Sequence, residues 1–177
     1  MKLKLLILIL ALQTAWILTT AFTQERALAG GTVITLETVP VDPRDLLRGD
    51  YVILNYKIST VPMQLFSPSP GQQLPIGESV YVLVEKHGDF YEVVRASEAP
   101  LDASPGEVML KGQVERTWDT KQVRLQYGLE RYYVPEGTGN LKGKLTVQAA
   151  VPASGQARIK QVLVDGKPYA ESIKRSQ

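Results

Sequence analysis

The residues best suited to do chemistry lie in one charged segment, residues 42–50. Its acidic and basic side chains are those of Asp42, Arg44, Asp45, Arg48 and Asp50. Three carboxylates could bind calcium, but their spacing lacks the alternate-position ligands of a calcium loop, and two arginines intervene. Acid–base chemistry would need a histidine or lysine partner, and none stands beside them in the sequence. We therefore interpret this segment as a structural corner without catalytic or metal-binding residues.

The same segment carries the signals of a short helical turn. Asp42 is suited to cap a helix, Pro43 fits its first position, and Asp45 occupies the place of the acid in a capping box. Gly49 follows as a residue that can adopt the left-handed conformation ending a helix. The pattern predicts one helical turn that reverses the chain into a strand beginning at Tyr51.

The composition argues against several other kinds of site. The chain of 177 residues has no cysteine and one histidine, which excludes disulfides and thiolate chemistry and disfavours a structural zinc site. Its formal net charge is +2, and Lys2 and Lys4 precede the first apolar segment. Because the remaining charges balance, we expect no surface for nucleic acid. We also expect no cofactor.

An uncharged apolar segment, Leu5 to Phe22, follows the N-terminal lysines. As a helix it would be about 27 Å long, close to the roughly 30 Å hydrocarbon core of a bilayer. Lys2 and Lys4 should stay in the cytoplasm, which would place the rest of the chain on the other side of the membrane. The predicted organisation is a transmembrane anchor in residues 1–24, a linker in 25–31 and an extracytoplasmic domain in 32–177.

A cleaved signal peptide is the alternative interpretation of the N-terminus. Ala27-Leu28-Ala29 has the A-x-A pattern of a cleavage site. The apolar segment is longer than the usual stretch of about 7–15 residues, and Glu25 and Arg26 would place two charges just before the cut. We therefore favour a retained anchor, and both interpretations leave the folded domain outside the cytoplasm.

The chain beyond Gly31 consists of short segments rich in β-branched and aromatic residues, separated by turn signals. No long amphipathic helix is predicted after Phe22. The predicted strands are residues 32–39, 51–59, 79–86, 90–97, 108–118, 122–134, 144–151 and 157–165. Hairpin turns are predicted at residues 87–89 and 152–155. The pattern predicts a mainly β fold, an antiparallel β sandwich or open barrel, preceded by one transmembrane helix.

The segment that begins at the predicted corner also carries a family pattern. Gly49-Asp50-Tyr51-Val52-Ile53-Leu54-Asn55-Tyr56 matches the pattern G-D-Y-x-x-L-x-Y at every defined position. The chain thus resembles the GDYXXLXY protein family, and VDPRDLLR and YGLERYYVPEGTG resemble two more of its recurring blocks. The resemblance covers roughly residues 33–167. It implies a bacterial cell-membrane protein with one N-terminal anchor and an extracytoplasmic domain, and it implies no reaction and no catalytic residues.

The segment DLLRGDYVIL is also similar to the region that follows the nucleophile in signal-peptidase-type Ser/Lys proteases. Alignment on Gly49-Asp50 places Val41 where those proteases have their nucleophilic serine. Valine cannot attack a carbonyl, and no lysine of this chain lies in a supporting motif. We therefore disfavour peptidase activity.

The later family block alternates charged and aromatic side chains. Its candidate surface residues are Tyr127, Glu130, Arg131, Tyr132, Tyr133 and Glu136. One interpretation is a strand, bulged at Gly128, whose tyrosines pack at a sheet edge. The other is a surface that binds a protein or a glycan, because tyrosine and arginine dominate interface hot spots.

Three functions of different classes follow from these observations. We favour a non-enzymatic accessory module that assembles with another envelope or integral membrane protein. The second is an extracytoplasmic module that binds a small molecule or glycan, which needs a concave site near Tyr51, Tyr56 or residues 127–133. An envelope hydrolase comes third, since the chain has one histidine and no serine motif. The sequence indicates no particular oligomeric state.

Overall fold

The structure is a computed structural model that describes residues 2–39, 51–70, 74–118, 121–134 and 143–174. Some residues singled out from the sequence lie outside these ranges: Asp42, Pro43, Arg44, Asp45, Arg48, Gly49, Asp50 and Glu136. The predicted helical corner therefore stays a prediction.

The chain begins with helix α1, Lys2–Gly30. Its stretch Lys4–Thr23 is exposed throughout, has a mean hydropathy of 2.1 and is long enough to cross a membrane. This confirms the expected N-terminal apolar helix. The helix continues through most of the predicted linker at residues 25–31, because good helix formers extend it to the glycine pair at Gly30.

Twelve strands, two 3-10 turns and a short second helix follow in the described residues. The strands are β1 Thr32–Val39, β2 Tyr51–Ile53, β3 Asn55–Tyr56, β4 Thr60–Pro62, β5 Ser79–His87, β6 Phe90–Ser97, β7 Glu107–Trp118, β8 Gln122–Gln126, β9 Arg131–Tyr133, β10 Leu145–Val151, β11 Arg158–Val164 and β12 Lys167–Pro168. The 3-10 turns are Lys57–Ser59 and Met63–Leu65, and helix α2 is Tyr169–Lys174.

The strands form three antiparallel groups that enclose one core. One sheet has the order β12-β11-β10-β1-β3, another has the order β4-β8-β7-β5-β6, and β2 pairs with β9. The stretch from Tyr51 to Pro62 connects all three, because β2, β3 and β4 pair in turn with β9, β1 and β8. The result is a nearly closed antiparallel barrel, which confirms the predicted mainly β fold.

The core is filled by the inward side chains of both large sheets. Alternation along β1 buries Ile34 and Leu36, and the opposite sheet contributes Val82, Leu110 and Leu125. These residues form one apolar cluster, so the two sheets share a single core.

Most predicted strands and both predicted hairpins are confirmed. Residues 32–39 and 90–97 form β1 and β6, Gly88 adopts a φ of 63° in one hairpin, and the Gly155 N–H donates to the Pro152 carbonyl in the other. Two predicted strands were too long. Residues 51–59 divide at Leu54 and end in a 3-10 turn, and residues 122–134 are interrupted around Gly128, where φ is 77°.

Gly112 of β7 lies against the ring of Tyr127. A Cβ atom at this position would lie 3.1 Å from Cδ1 and from Cε1 of that ring and 3.2 Å from the Gln126 carbonyl oxygen. We expect Gly112→Val to lower the free energy of unfolding by about 1–3 kcal/mol, because overpacking forces a held ring to move. Thermal denaturation of the full chain in detergent micelles measures the loss.

The matched control is Gln113→Val, which places the same side chain at the next, exposed position of β7. It should change the free energy of unfolding by no more than about 0.5 kcal/mol. Equal melting temperatures for the two variants would contradict the tight contact at Gly112.

Candidate functional site

The two sequence blocks singled out above lie side by side. β2 pairs with β9 in the register Tyr51 with Tyr133, Val52 with Tyr132 and Ile53 with Arg131. The Leu54 N–H then donates to the Glu130 carbonyl oxygen over 2.9 Å. Segments about 80 positions apart in sequence, 51–56 and 127–134, thus form one local unit.

Two buried tyrosine hydroxyls join residues 56–58, at the end of the first segment, reciprocally to residues 127–129 of the second. The Tyr56 hydroxyl donates to the Leu129 carbonyl oxygen over 2.6 Å, and the Tyr127 hydroxyl donates to the Ile58 carbonyl oxygen over 2.8 Å. Leu129 lies in the loop between β8 and β9, and Ile58 lies in the 3-10 turn after β3. We call this pair of bonds the tyrosine clasp. Each segment supplies one phenol and one carbonyl, so neither can move away without breaking both bonds.

Burial and a nearby carboxylate keep both phenols of the clasp in their neutral, donating form. Desolvation raises the pKa of Tyr56 and of Tyr127, and the negative charge of Glu130 raises both pKa values further. The Glu130 carboxylate also accepts the Tyr127 backbone N–H over 2.6 Å, which holds the loop of residues 127–130 closed.

An arginine connects the same unit to the neighbouring strands. The Arg124 guanidinium of β8 donates from Nη2 to Oδ1 of Asn55 over 2.7 Å and from Nε to Oε2 of Glu115 over 2.8 Å. Asn55 is one of the unspecified positions of the family pattern. Its amide therefore contributes a cross-strand bond from β3 to β8 that the pattern does not reveal.

The outer face of the β2–β9 pair is aromatic and basic. Tyr133 is 72% exposed, its ring centroid lies 6.0 Å from that of Tyr51, and the Arg131 guanidinium lies 5.5 Å from the Tyr51 ring centroid. We call Tyr51, Arg131 and Tyr133 the tyrosine–arginine surface. Strand alternation turns Tyr132 to the opposite face, where its ring packs edge-on against Tyr169 of α2.

The candidate surface residues of the later block therefore differ in their exposure to solvent. Arg131 and Tyr133 are exposed, Glu130 and Tyr132 are half-buried, and Tyr127 lies in the core. The expectation that Tyr127 contributes to a surface was wrong: its side chain is buried, and its hydroxyl donates to the Ile58 carbonyl inside the barrel.

A polar cleft of about 300 Å³ opens where β8 leaves β7, next to the clasp. Its lining residues are Lys111, Gly112, Gln113, Gln126, Tyr127, Gly128, Gln156, Ala157 and Arg158. The Lys111 ammonium lies 5.7 Å from the ring centroid of Tyr81. Arg158 is exposed, and within the described part of the chain it forms no ion pair. The cleft reaches the predicted region at Tyr127 and Gly128.

The sequence did not point to the other residues of this cleft. They come from three separate segments, residues 111–113, 126–128 and 156–158, and each glutamine is an ordinary exposed strand or loop residue in its local context. Only the pairing of β7 with β8 and the 2.9 Å bond from the Lys111 N–H to the Gly155 carbonyl bring them together.

The tyrosine clasp makes the stability of the domain sensitive to alkali. Because the pKa of both phenols is raised above the ordinary value of 10.0, unfolding releases protons above that pH. The two phenols should make their full contribution to the free energy of unfolding below pH 10. That contribution should fall as the pH rises above 10. In the double variant Tyr56→Phe, Tyr127→Phe, we expect a loss of about 1–2 kcal/mol per hydrogen bond at pH 8 and a shallower fall between pH 10 and 12.

Melting temperatures of the full chain in micelles across this pH range measure both effects. Tyr133→Phe removes an exposed phenol and serves as the control, with a pH profile parallel to that of the unmutated chain. An equally steep alkaline fall in the double variant would show that the clasp does not carry the pH dependence.

The sequence model of the GDYXXLXY protein family matches residues 13–162, which include both segments joined by the tyrosine clasp and more than half of α1. No curated protein and no solved structure gives a significant match. The chain belongs to the GDYXXLXY protein family.

Proposed function

We propose that the protein is a membrane-anchored accessory module that assembles with another envelope or integral membrane protein. The observation that carries this proposal is the tyrosine–arginine surface on the β2–β9 pair. Tyrosine and arginine are the residue types that contribute most binding energy at protein interfaces, because they bury a large area and keep a polar group for the partner. Tyr133 is highly exposed and lies beside a cation–π pair of Arg131 and Tyr51.

The strands that carry the tyrosine–arginine surface are held firmly in place, which favours a role for this surface in binding. β2 and β9 carry the three side chains, and the tyrosine clasp together with the Leu54–Glu130 backbone bond fixes both strands to the barrel. A rigid aromatic side chain on a rigid strand loses little conformational entropy when a partner covers it. The surface is therefore preorganised for a partner of matching shape.

Helix α1 supports the membrane part of the proposal. In the proposed topology its apolar stretch Lys4–Thr23 spans the bilayer and leaves the β domain outside the cytoplasm. The helix continues to Gly30, and β1 starts at Thr32, so the domain would begin about 10 Å beyond the apolar stretch. This topology would place the tyrosine–arginine surface within reach of other proteins of the membrane.

Site-specific photo-crosslinking in living cells tests the assembly. A photoreactive phenylalanine analogue at Tyr133 should capture one dominant membrane protein, identified by mass spectrometry after extraction in mild detergent. The same analogue at Ile76, which is 78% exposed before β5, is the matched control and should not capture it. Arg131→Ala should weaken the capture at Tyr133 at least about fivefold, as expected for a hot-spot residue worth more than 1 kcal/mol.

A chain whose α1 is replaced by an unrelated transmembrane helix should still capture the partner, because the contact is assigned to the domain. Recovery of uncrosslinked chain alone from the Tyr133 position would argue against assembly through this surface.

The polar cleft favours a second candidate function, a module that binds a small polar molecule or a glycan. Its volume of about 300 Å³ lies at the lower end of the range of roughly 300–1,000 Å³ for ligand pockets. Gln113, Gln126 and Gln156 offer amide donors and acceptors for hydroxyl groups, and Arg158 offers a charge for an anionic substituent.

Thermal shift measurements on the full chain test this second function. Neutral sugars, uronic acids and sugar phosphates are added in turn, and a ligand present at 100 times its Kd should stabilise the fold by about 2.7 kcal/mol. Arg158→Ala should abolish the shift caused by an anionic ligand. Lys160→Ala, which removes an equal charge from another exposed position of β11, should preserve that shift. No stabilisation by any of these ligands would count against the cleft as a sugar site.

A further inference from the structure

One polar side chain lies at the centre of the apolar stretch of α1. The midpoint of Lys4–Thr23 falls between Gln13 and Thr14, and Gln13 is exposed on the helix surface. Within the described part of the chain the Gln13 amide forms no hydrogen bond. In the membrane-anchored topology proposed above, this carboxamide would lie near the bilayer midplane.

The threonines of the same stretch behave differently. The hydroxyls of Thr14, Thr19, Thr20 and Thr23 each donate to a backbone carbonyl three or four positions earlier, over 2.8–2.9 Å. They are therefore satisfied within their own helix and need no partner in lipid. The Gln13 carboxamide has two donor hydrogens and an acceptor oxygen. Hydrocarbon offers a hydrogen-bonding partner neither for the donors nor for the acceptor.

We propose that α1 pairs in parallel with α1 of a second copy of this chain through Gln13. A buried polar side chain that finds a hydrogen-bonding partner on a neighbouring helix is a recognised source of transmembrane association. This inference rests on the membrane anchoring of the proposed function, and it adds a second copy and a contact residue that the tyrosine–arginine surface does not require.

The depth of Gln13 in the bilayer and the hydrogen-bonding groups of its carboxamide both favour a second copy of this chain as the partner. Two parallel copies place their Gln13 side chains at the same depth automatically, whereas another helix would need a polar residue at a matching position. A carboxamide is both a donor and an acceptor, so two glutamines can satisfy each other. A single polar residue in an apolar seam also fixes the register of helix pairing.

The surroundings of Gln13 form a face suited to such pairing. Leu6, Gln13 and Thr20 are spaced by seven residues and therefore lie nearly in line on the helix. The side chains that flank this line are Ile9, Leu10, Trp16 and Ile17. All of these residues are exposed in the structure, so the whole face is accessible to a second helix.

Cysteine crosslinking of the full-length chain in bacterial membranes tests the proposal. The chain has no cysteine, so each single substitution reports one position without background. Leu6→Cys, Ile17→Cys and Thr20→Cys should form disulfide-linked dimers under mild oxidation. Leu8→Cys, Ala11→Cys and Ala15→Cys lie on the opposite side of the helix and should not.

Substitution of Gln13 then identifies the contact residue. Gln13→Leu in the Thr20→Cys background should lower the association constant of the dimer about three- to tenfold, as expected for the loss of an interhelical hydrogen bond. Gln13→Asn should retain most of the dimer because it keeps the carboxamide. Thr14→Val is the matched control, and it should leave the dimer unchanged because the Thr14 hydroxyl already bonds within its own helix.

The possible results separate this inference from the proposed function. Equal crosslinking on all sides of the helix, or a dimer insensitive to Gln13→Leu, would overturn pairing through Gln13 while leaving capture at Tyr133 intact. Crosslinking to a different polypeptide in place of the dimer would overturn the second copy as the partner. A mature chain that begins after Ala29, measured by intact mass, would overturn both the pairing and the anchor.

Discussion

The tyrosine clasp is the constraint on which the rest of the β domain depends. It joins two segments that come from opposite halves of the domain, and it does so at the place where the chain passes between the two large sheets. The short strands β2, β3 and β4 have only two or three ladder pairs each, so the clasp adds to the buried side chains and the few other bonds that hold them. The tyrosine–arginine surface and the part of the cleft formed by Tyr127 and Gly128 lie next to the clasp.

The positions of Tyr51, Leu54 and Tyr56 in the fold explain why the family pattern specifies these residue types. Leu54 and Tyr56 point into the core, and the Tyr56 hydroxyl makes half of the clasp, whereas Tyr51 lies on the outer face beside Arg131. The pattern therefore combines residues that maintain the fold with one that contributes to a surface. The partner segment supplies Tyr127 and the Leu129 carbonyl, which explains in physical terms why a second block accompanies the first.

Local sequence patterns predicted the elements whose conformation depends mainly on residues close by in the sequence. The alternation of β1, the glycine turn after His87 and the apolar run of α1 each depend on neighbours in sequence, and each was predicted within a few residues. Helix α1 continues to Gly30, beyond the predicted anchor of residues 1–24, because residues 25–29 are good helix formers. Tyr127 was misplaced because an aromatic residue beside Gly128 has the same local pattern at an edge as in a core. The cleft could not be predicted, since its walls meet only through the pairing of distant strands.

A single residue, Gly31, separates α1 from β1. For a chain anchored by α1, so short a join would keep the β domain close to the lipid surface. In the proposed assembly, the search for a membrane-bound partner would take place in two dimensions, at a raised effective concentration. Even a modest contact surface of three side chains would be occupied often under those conditions, and its affinity need not be high.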